Sequence, residues 1–294
     1  MIDLYLLIII YSNIHKYKKN NILIPINTNL SYKKCYLNLD YENIKIIHLV
    51  ITRFVLDVFI SYKIYTKDYI LNGIRVMKKF LLTSLENQSC NDFIWILMIG
   101  NKANITFVKS LINLNVSFKY IIIKQKDMNN FIFNITKGFD VLISTRIDYD
   151  DIIYFDAVND VRKAININKP MQLYGYNRGF YYFETIDKYF EYYRKNNNGV
   201  LGIFTSLIIV LDKVNRPYTI YDIGPHTHLR TNLIRNYKNY GIKQLNYEPA
   251  IFDSGDPKFV YVRQKYSTSY NNTLGIKELL KSKNFNSSKF YAFY

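Results

Sequence analysis

The sequence predicts an α/β protein built on a mostly parallel sheet flanked by helices, and two observations carry that expectation. Between residues 44 and 166, short β-branched apolar runs alternate with segments whose apolar residues recur every three or four positions. Runs of the first kind suit strands buried on both faces, and the second spacing suits helices with one apolar stripe. Their alternation over some 120 residues implies βαβ units.

The elements follow in order. "IKIIHLVITRF" (44–54) is the first buried strand, and "NGIRVMKKFLLTSLENQ" (72–88) sets Ile74, Met77, Phe80, Leu81 and Leu85 on one helical face. "FIWILMI" (93–99) is the second strand, and 104–114 is a helix for which Asn104 is a suitable N-cap. "VSFKYIIIK" (116–124) is the third strand, followed by a short helix over 127–137. "VLISTR" (141–146) is the fourth, and helical spacing returns over 151–165 at Phe155, Val158, Val161 and Ile165.

Beyond residue 166 the pattern becomes mixed α+β. "MQLYGYNRGFYYFE" (171–184) reads as a hairpin turning at Asn177-Arg178-Gly179. Residues 185–199 read as an amphipathic helix and a loop, 201–214 as a buried helix, and 216–230 as a strand leading to a loop that holds His226 and His228. Tyr and Phe crowd this half, and core packing accounts for most of them. The chain thus divides into an irregular extension (1–43), a first half (44–166), a second half (167–262) and a tail (263–294), as one domain overall.

Composition bounds the partners. Hydrophobic residues make up 49% of the 294 and charged residues 21%, as in a folded domain. A formal net charge of +16 suits an anionic partner such as nucleic acid, anionic membrane or a phosphate-bearing ligand, although AT-rich coding also enriches Lys. Lys is dispersed and no nucleic-acid-binding motif is present, so nucleic acid is not the expected partner. Cys35 and Cys90 form neither a disulfide framework nor a metal-type spacing, which points to a reducing compartment. The expected location is cytoplasmic, and for a gene of an AT-rich large DNA virus that cytoplasm would be the host cell's. The N-terminal apolar run is short of the roughly 20 residues that span a bilayer. It suits a buried strand, with weak membrane-surface association as the alternative.

The candidate site is "VLISTRIDYDD" (141–151), where a buried strand ends in Arg146 and then Asp148, Asp150 and Asp151 follow. Ligands of parallel α/β sheets bind beyond the carboxyl ends of the strands. If strand geometry persists, Asp148 and Asp150 leave one face and suit Mg²⁺ or Mn²⁺ shared with substrate phosphates. Alternatively, Asp150 or Asp151 caps a helix beginning at Ile152.

"FLLTSLENQSCNDFIWILMIG" followed by "LISTRIDYDD" resembles inverting glycosyltransferases of the GT-A fold, in which Ser-Leu-x-x-Gln ends a helix before a strand and Asp-x-Asp-Asp follows the fourth strand. Thr52-Arg53-Phe54, together with Thr145-Arg146-Ile147-Asp148-Tyr149-Asp150-Asp151, is similar to a rhamnosyltransferase family, over roughly residues 44–230. The resemblance implies a GT-A-like fold, with 44–166 binding the nucleotide-sugar and 167–262 the acceptor. Arg53, Arg146 and Asp148 would then bind the nucleotide-sugar. Asp150, Asp151 and His226 (or His228) would attend a divalent metal, Mn²⁺ or Mg²⁺. The donor would be a dTDP-, UDP- or GDP-sugar and the acceptor a glycan or glycoprotein. Where many relatives carry a carboxylate after the second strand, this chain has Met98-Ile99-Gly100-Asn101, which leaves the base unassigned. An inverting transfer needs a carboxylate base. Among Glu184, Asp187, Asp212 and Asp222, Asp212 is chosen for its place at the end of the expected 201–214 helix. Two readings from other classes are a basic nucleic-acid-binding protein and an inactive GT-A fold kept for structure.

Overall fold

The computed structural model describes residues 43–56, 66–112, 116–176, 178–184, 188–193, 204–225, 228–242, 258–263 and 280–281. The N-terminal run, Cys35, His226 and most of the tail lie outside the described residues.

Four strands expected from the sequence form the core of the first sheet: β1 (Ile46–Phe54), β2 (Ile94–Ile99), β3 (Lys119–Lys124) and β4 (Val141–Arg146). All are mutually parallel, and β1 lies between β2 and β4. Two further strands, β6 (Met171–Tyr174) and β9 (Thr205–Val210), complete the order β3-β2-β1-β4-β9-β6. Strand β9 runs antiparallel to both neighbours, so the chain forms a mixed but largely parallel sheet.

Helices cover both faces of this sheet. On one face lie α1 (Lys67–Met77), its continuation α2 (Thr83–Glu86), α3 (Ile105–Leu111) and α5 (Ala157–Lys163). They pack Ile74, Leu81, Leu85, Val108, Val158 and Val161 against Val50, Trp95, Ile143 and Ile208. On the other, α4 (Met128–Ile135), α6 (Ile220–Ile223) and α7 (Leu229–Asn236) pack Phe131, Ile132, Ile220 and Leu233 against Leu49, Ile96, Leu142 and Leu207. The alternation of Val50 and Leu49, or of Ile143 and Leu142, between the two cores is the period-2 alternation of strand side chains.

Strand β1 is where this winding reverses. The connections through α1 and α3 carry the chain outward to β2 and β3 on one face, and α4 returns it across the other face to β4. Such a switch point between neighbouring strands opens a crevice at their carboxyl ends.

A second sheet holds β5 (Ile152–Ile153), β7 (Arg178–Phe183), β8 (Lys188–Tyr193), β10 (Phe259–Arg263) and β11 (Leu280–Lys281), in the order β11-β8-β7-β10-β5. It packs on the helix that follows β1. Between α1 and α2, residues Lys78–Leu82 form a π-helical turn. This turn lets one helix serve two cores. Ile74, Met77, Leu81 and Leu85 face the first sheet, while Val76 and Phe80 meet Phe180, Val260 and Val262 of the second. Extra residues per turn rotate the apolar stripe, which the 3.6-residue period cannot do. Thr66 sets the start earlier than the expected residue 72, because its hydroxyl accepts the Tyr69 amide at 3.3 Å.

The second half departs from the sequence expectations. Residues 171–184 form no hairpin, since β6 pairs with β9 in the first sheet while β7 pairs with β8 and β10 in the second. The expected helices at 185–199 and 201–214 are represented by strands β8 and β9. "TSLIIV" is buried at every position between two partners, and a short apolar run of that length suits a central strand as well as a helix. The expected strand near 216–230 is instead α6, opened by a capping box in which Asp222 accepts the Thr219 amide at 2.6 Å, and then α7. Residues 151–165 begin with β5, and the helix starts only at Ala157 with Asp156 at its N-cap. Cys90 is buried.

Candidate functional site

Strand β4 ends at Arg146, and the chain passes through Asp148–Asp151 into β5 of the second sheet. The Asp151 amide donates to the Asp148 carbonyl at 3.3 Å, so the acidic stretch is a tight turn between sheets and not a continued strand. Strand alternation therefore does not place Asp148 and Asp150 on one face. A helix cap is excluded for Asp150 and Asp151, because no helix begins there. Asp148 and Asp150 are partly exposed, whereas Asp151 is 1% exposed.

Arg146 is buried, and its Nη2 meets Asp148 Oδ1 at 3.3 Å and Oδ2 at 3.4 Å. Burial alone would favour a neutral guanidine; Asp148 and the Tyr221 oxygen outweigh it and raise the pKa, so the cation is retained. Strand register pairs Arg146 with Ile51, two residues before Arg53 and on the same face. Both guanidiniums lie over the ring of Tyr221, with Cζ 4.9 Å from its centroid for Arg53 and 5.6 Å for Arg146. Tyr221 comes from α6, which sits on this face because Ser144 of β4 accepts the Ile220 amide at 2.8 Å. Burial pushes the Tyr221 phenol up, while the two arginines pull the other way; the phenol stays neutral.

The turn also carries an aromatic contact. Tyr149 meets Phe54 edge-on at 5.4 Å, and its phenol is raised by burial first and then by Asp150. Val55, directly after Phe54, has φ of 51°, a left-handed conformation that a β-branched residue rarely adopts. Backbone strain of this kind tends to gather at functional sites.

The Gln of Ser84-Leu85-x-x-Gln88 has a structural task. Fully buried Gln88 donates to the Tyr154 carbonyl at 2.9 Å and accepts the Val158 amide at 3.1 Å. It thereby ties the end of α2 to the segment that follows the acidic turn.

Of the sequence-predicted residues, the structure joins Arg53 and Arg146 through the ring of Tyr221 and Asp148 through its ion pair with Arg146, while Asp150 and Asp151 share the turn with Asp148. It does not bring Asp212 to them. Asp212 lies in a 3₁₀ turn after β9, and β9 ends opposite Val141, where β4 begins. Asp212 is therefore at the opposite end of the strands from Arg146, because β9 is a strand antiparallel to β4 and not a helix. Glu184 is paired with Lys79 at 2.7 Å, and Asp222 is engaged in its capping box. His228 is exposed at the N-cap of α7, while His226 and Asp187 lie outside the described residues. Among the described residues, no three carboxylate, imidazole or thiolate side chains converge as a metal set. Sequence reasoning missed Tyr221; the Thr219-x-x-Asp222 capping box was the signal that could have placed a helix there.

No family model matches the chain, and no curated protein matches it. Among solved structures, the inositol-1-phosphate CTP transferase from T. maritima is similar at 11% identity and a TM-score of 0.34, over 80% of this chain and 98% of that one. Within the described residues no helix is long and apolar enough to cross a membrane.

Proposed function

We propose that the protein is a glycosyltransferase that moves a sugar from a nucleoside-diphosphate donor to a hydroxyl of a glycan or glycoprotein. One observation carries this reading: Arg53 and Arg146 both lie over Tyr221, with Asp148 paired to Arg146, at the carboxyl ends of β1 and β4, where the sheet's winding reverses. Cations there suit the phosphates of a nucleotide, and partly exposed carboxylates suit a metal that shares those phosphates. The similarity of Thr145–Asp151 and Thr52–Phe54 to a rhamnosyltransferase family narrows the class from nucleotide binding to sugar transfer.

Mg²⁺ and Mn²⁺ bind through one or two carboxylates plus substrate oxygens and do not need a complete protein cage. Asp150 fits that role, with buried Asp151 next to it in the chain and His226 as a further candidate ligand. When bound, the ion would neutralise charge on the departing diphosphate. Arg53 and Arg146 hold and orient the phosphates, and Asp148 orients Arg146. The chemistry is displacement at the anomeric carbon: the acceptor oxygen forms the new bond, the diphosphate leaves with the old bonding pair, and the acceptor proton passes to a base.

The test is a panel of dTDP-, UDP- and GDP-sugars offered with Mn²⁺ to the full chain, followed by nucleotide release and sugar transfer. Turnover of one donor that Asp150→Ala abolishes is the expected result. Absence of both binding and turnover across the panel would sink the proposal.

A further inference from the structure

We propose that Tyr221 is a positioning residue that aligns Arg53 and Arg146 as a two-guanidinium grip for the diphosphate of the ligand; this rests on the nucleotide-dependent reading above. Three relationships lead there. First, both guanidiniums lie over one phenol ring, so two like charges are gathered where an isolated fold would keep them apart. A tyrosine face attracts each cation and tolerates the pair. Second, Asp148 pairs with Arg146, and among the described residues no ion pair joins Arg53 to a carboxylate. Arg146 Nε, buried, also has no hydrogen-bond partner among those residues. Third, the ring is itself fixed, since its hydroxyl donates to the Ile51 carbonyl at 3.3 Å and its helix is held by Ser144.

Two guanidiniums gathered over one ring suit a group with several anionic oxygens, and a diphosphate offers one phosphoryl to the planar fork of each arginine. Tyr221 touches neither phosphate in this scheme. It fixes the distance and direction of two long side chains whose rotamer freedom would otherwise have to be lost on binding.

Calorimetric binding of inorganic pyrophosphate to the full chain tests the grip without reference to turnover. Tyr221→Leu is expected to weaken pyrophosphate by about tenfold while leaving its melting profile cooperative. Tyr221→Phe keeps the ring but loses the hydroxyl's bond to Ile51, so its affinity should fall between those of wild type and Tyr221→Leu. Should Tyr221→Leu not fold, Arg53→Gln carries the test with the same expected loss. The proposal is overturned if the wild type binds no pyrophosphate, or if folded Tyr221→Leu or Arg53→Gln binds it as wild type does. Wild-type pyrophosphate binding that depends on Tyr221, without turnover of any sugar nucleotide, would leave the grip standing and remove the glycosyltransferase reading.

Discussion

The hydroxyl of Tyr221 donates to the main-chain carbonyl of Ile51 at 3.3 Å, across 170 residues of sequence. That carbonyl also receives the Ile147 amide at 3.2 Å, so one oxygen near the end of β1 joins β4 and α6. Its consequence is positional. The strand residue that fixes the phenol lies two before Arg53 and is register partner to Arg146, so ring and guanidiniums share one short stretch of frame.

Two aspartates lie at opposite ends of the strands. Asp150→Asn is expected to reduce sugar transfer by at least about a hundredfold, as removal of a group stabilising transition-state charge does. Asp212→Asn, at the opposite end beside the start of β4, should leave kcat and KM within about twofold. Steady-state kinetics on the two variants with one donor checks both; equal losses would contradict the assignment of the ends.

Asp148 balances a guanidinium that is only 5% exposed, while its own side chain is 38% exposed. Asp148→Asn should therefore lower stability by about 1.5 kcal/mol, the worth of a charge-assisted hydrogen bond, and less at high salt because the aspartate is partly solvated. Urea denaturation at two ionic strengths measures it.

Gln88 spans three main-chain groups, two buried and one partly buried: it donates to the Ser84 and Tyr154 carbonyls and accepts the Val158 amide. Gln88→Leu keeps the volume and strands those groups. A loss of about 3 kcal/mol is expected, since each unsatisfied buried group costs about 1–3 kcal/mol. Chemical denaturation should register this as a lower midpoint at an unchanged slope.

His48 is buried on β1, and its Nε2 lies 2.7 Å from the Thr145 hydroxyl, which in turn meets Ser206 at 2.6 Å. Burial first, and the nearby Arg162 charge second, hold its pKa well below the usual imidazole value. The unfolded chain then binds a proton that the folded one refuses, so stability falls as pH drops below about 6.5. Comparing urea midpoints at pH 7.5 and 5 for wild type and His48→Gln checks the sign: the wild type should lose more on acidification.

Gly73 leaves room on α1 for the Phe54 ring, because a Cβ there would come within 2.5 Å of it. Gly73→Ala gains about 1 kcal/mol in helix propensity but must displace a ring that is 1% exposed and packs on Tyr149. Overpacking of this kind costs about 1–3 kcal/mol. Net destabilisation, relieved by adding Phe54→Leu, is the expected outcome of thermal melts.

Local pattern was a good guide where each element carried its own signal. Asn104 caps α3 by accepting the Phe107 amide at 3.1 Å, and the four parallel strands lie where their apolar runs are. It was a poor guide where the partner decides the element. "TSLIIV" is a strand because β4 and β6 are there to pair with it, and "KYFEYY" pairs with β7 although its aromatic spacing allows a helix.

The sequence by itself determined the parallel α/β core and the acidic stretch at the end of its fourth strand, because buried strands need apolar runs and strand ends receive the polar residues. It did not determine that this stretch crosses between two sheets, that Asp151 is buried while Asp150 reaches the surface, or that Asp212 belongs to the far end of the strands. Nor did it reveal that Arg53 and Arg146 share the ring of Tyr221. Those features depend on strand direction and on contacts between residues far apart in the chain, and only the assembled packing sets both.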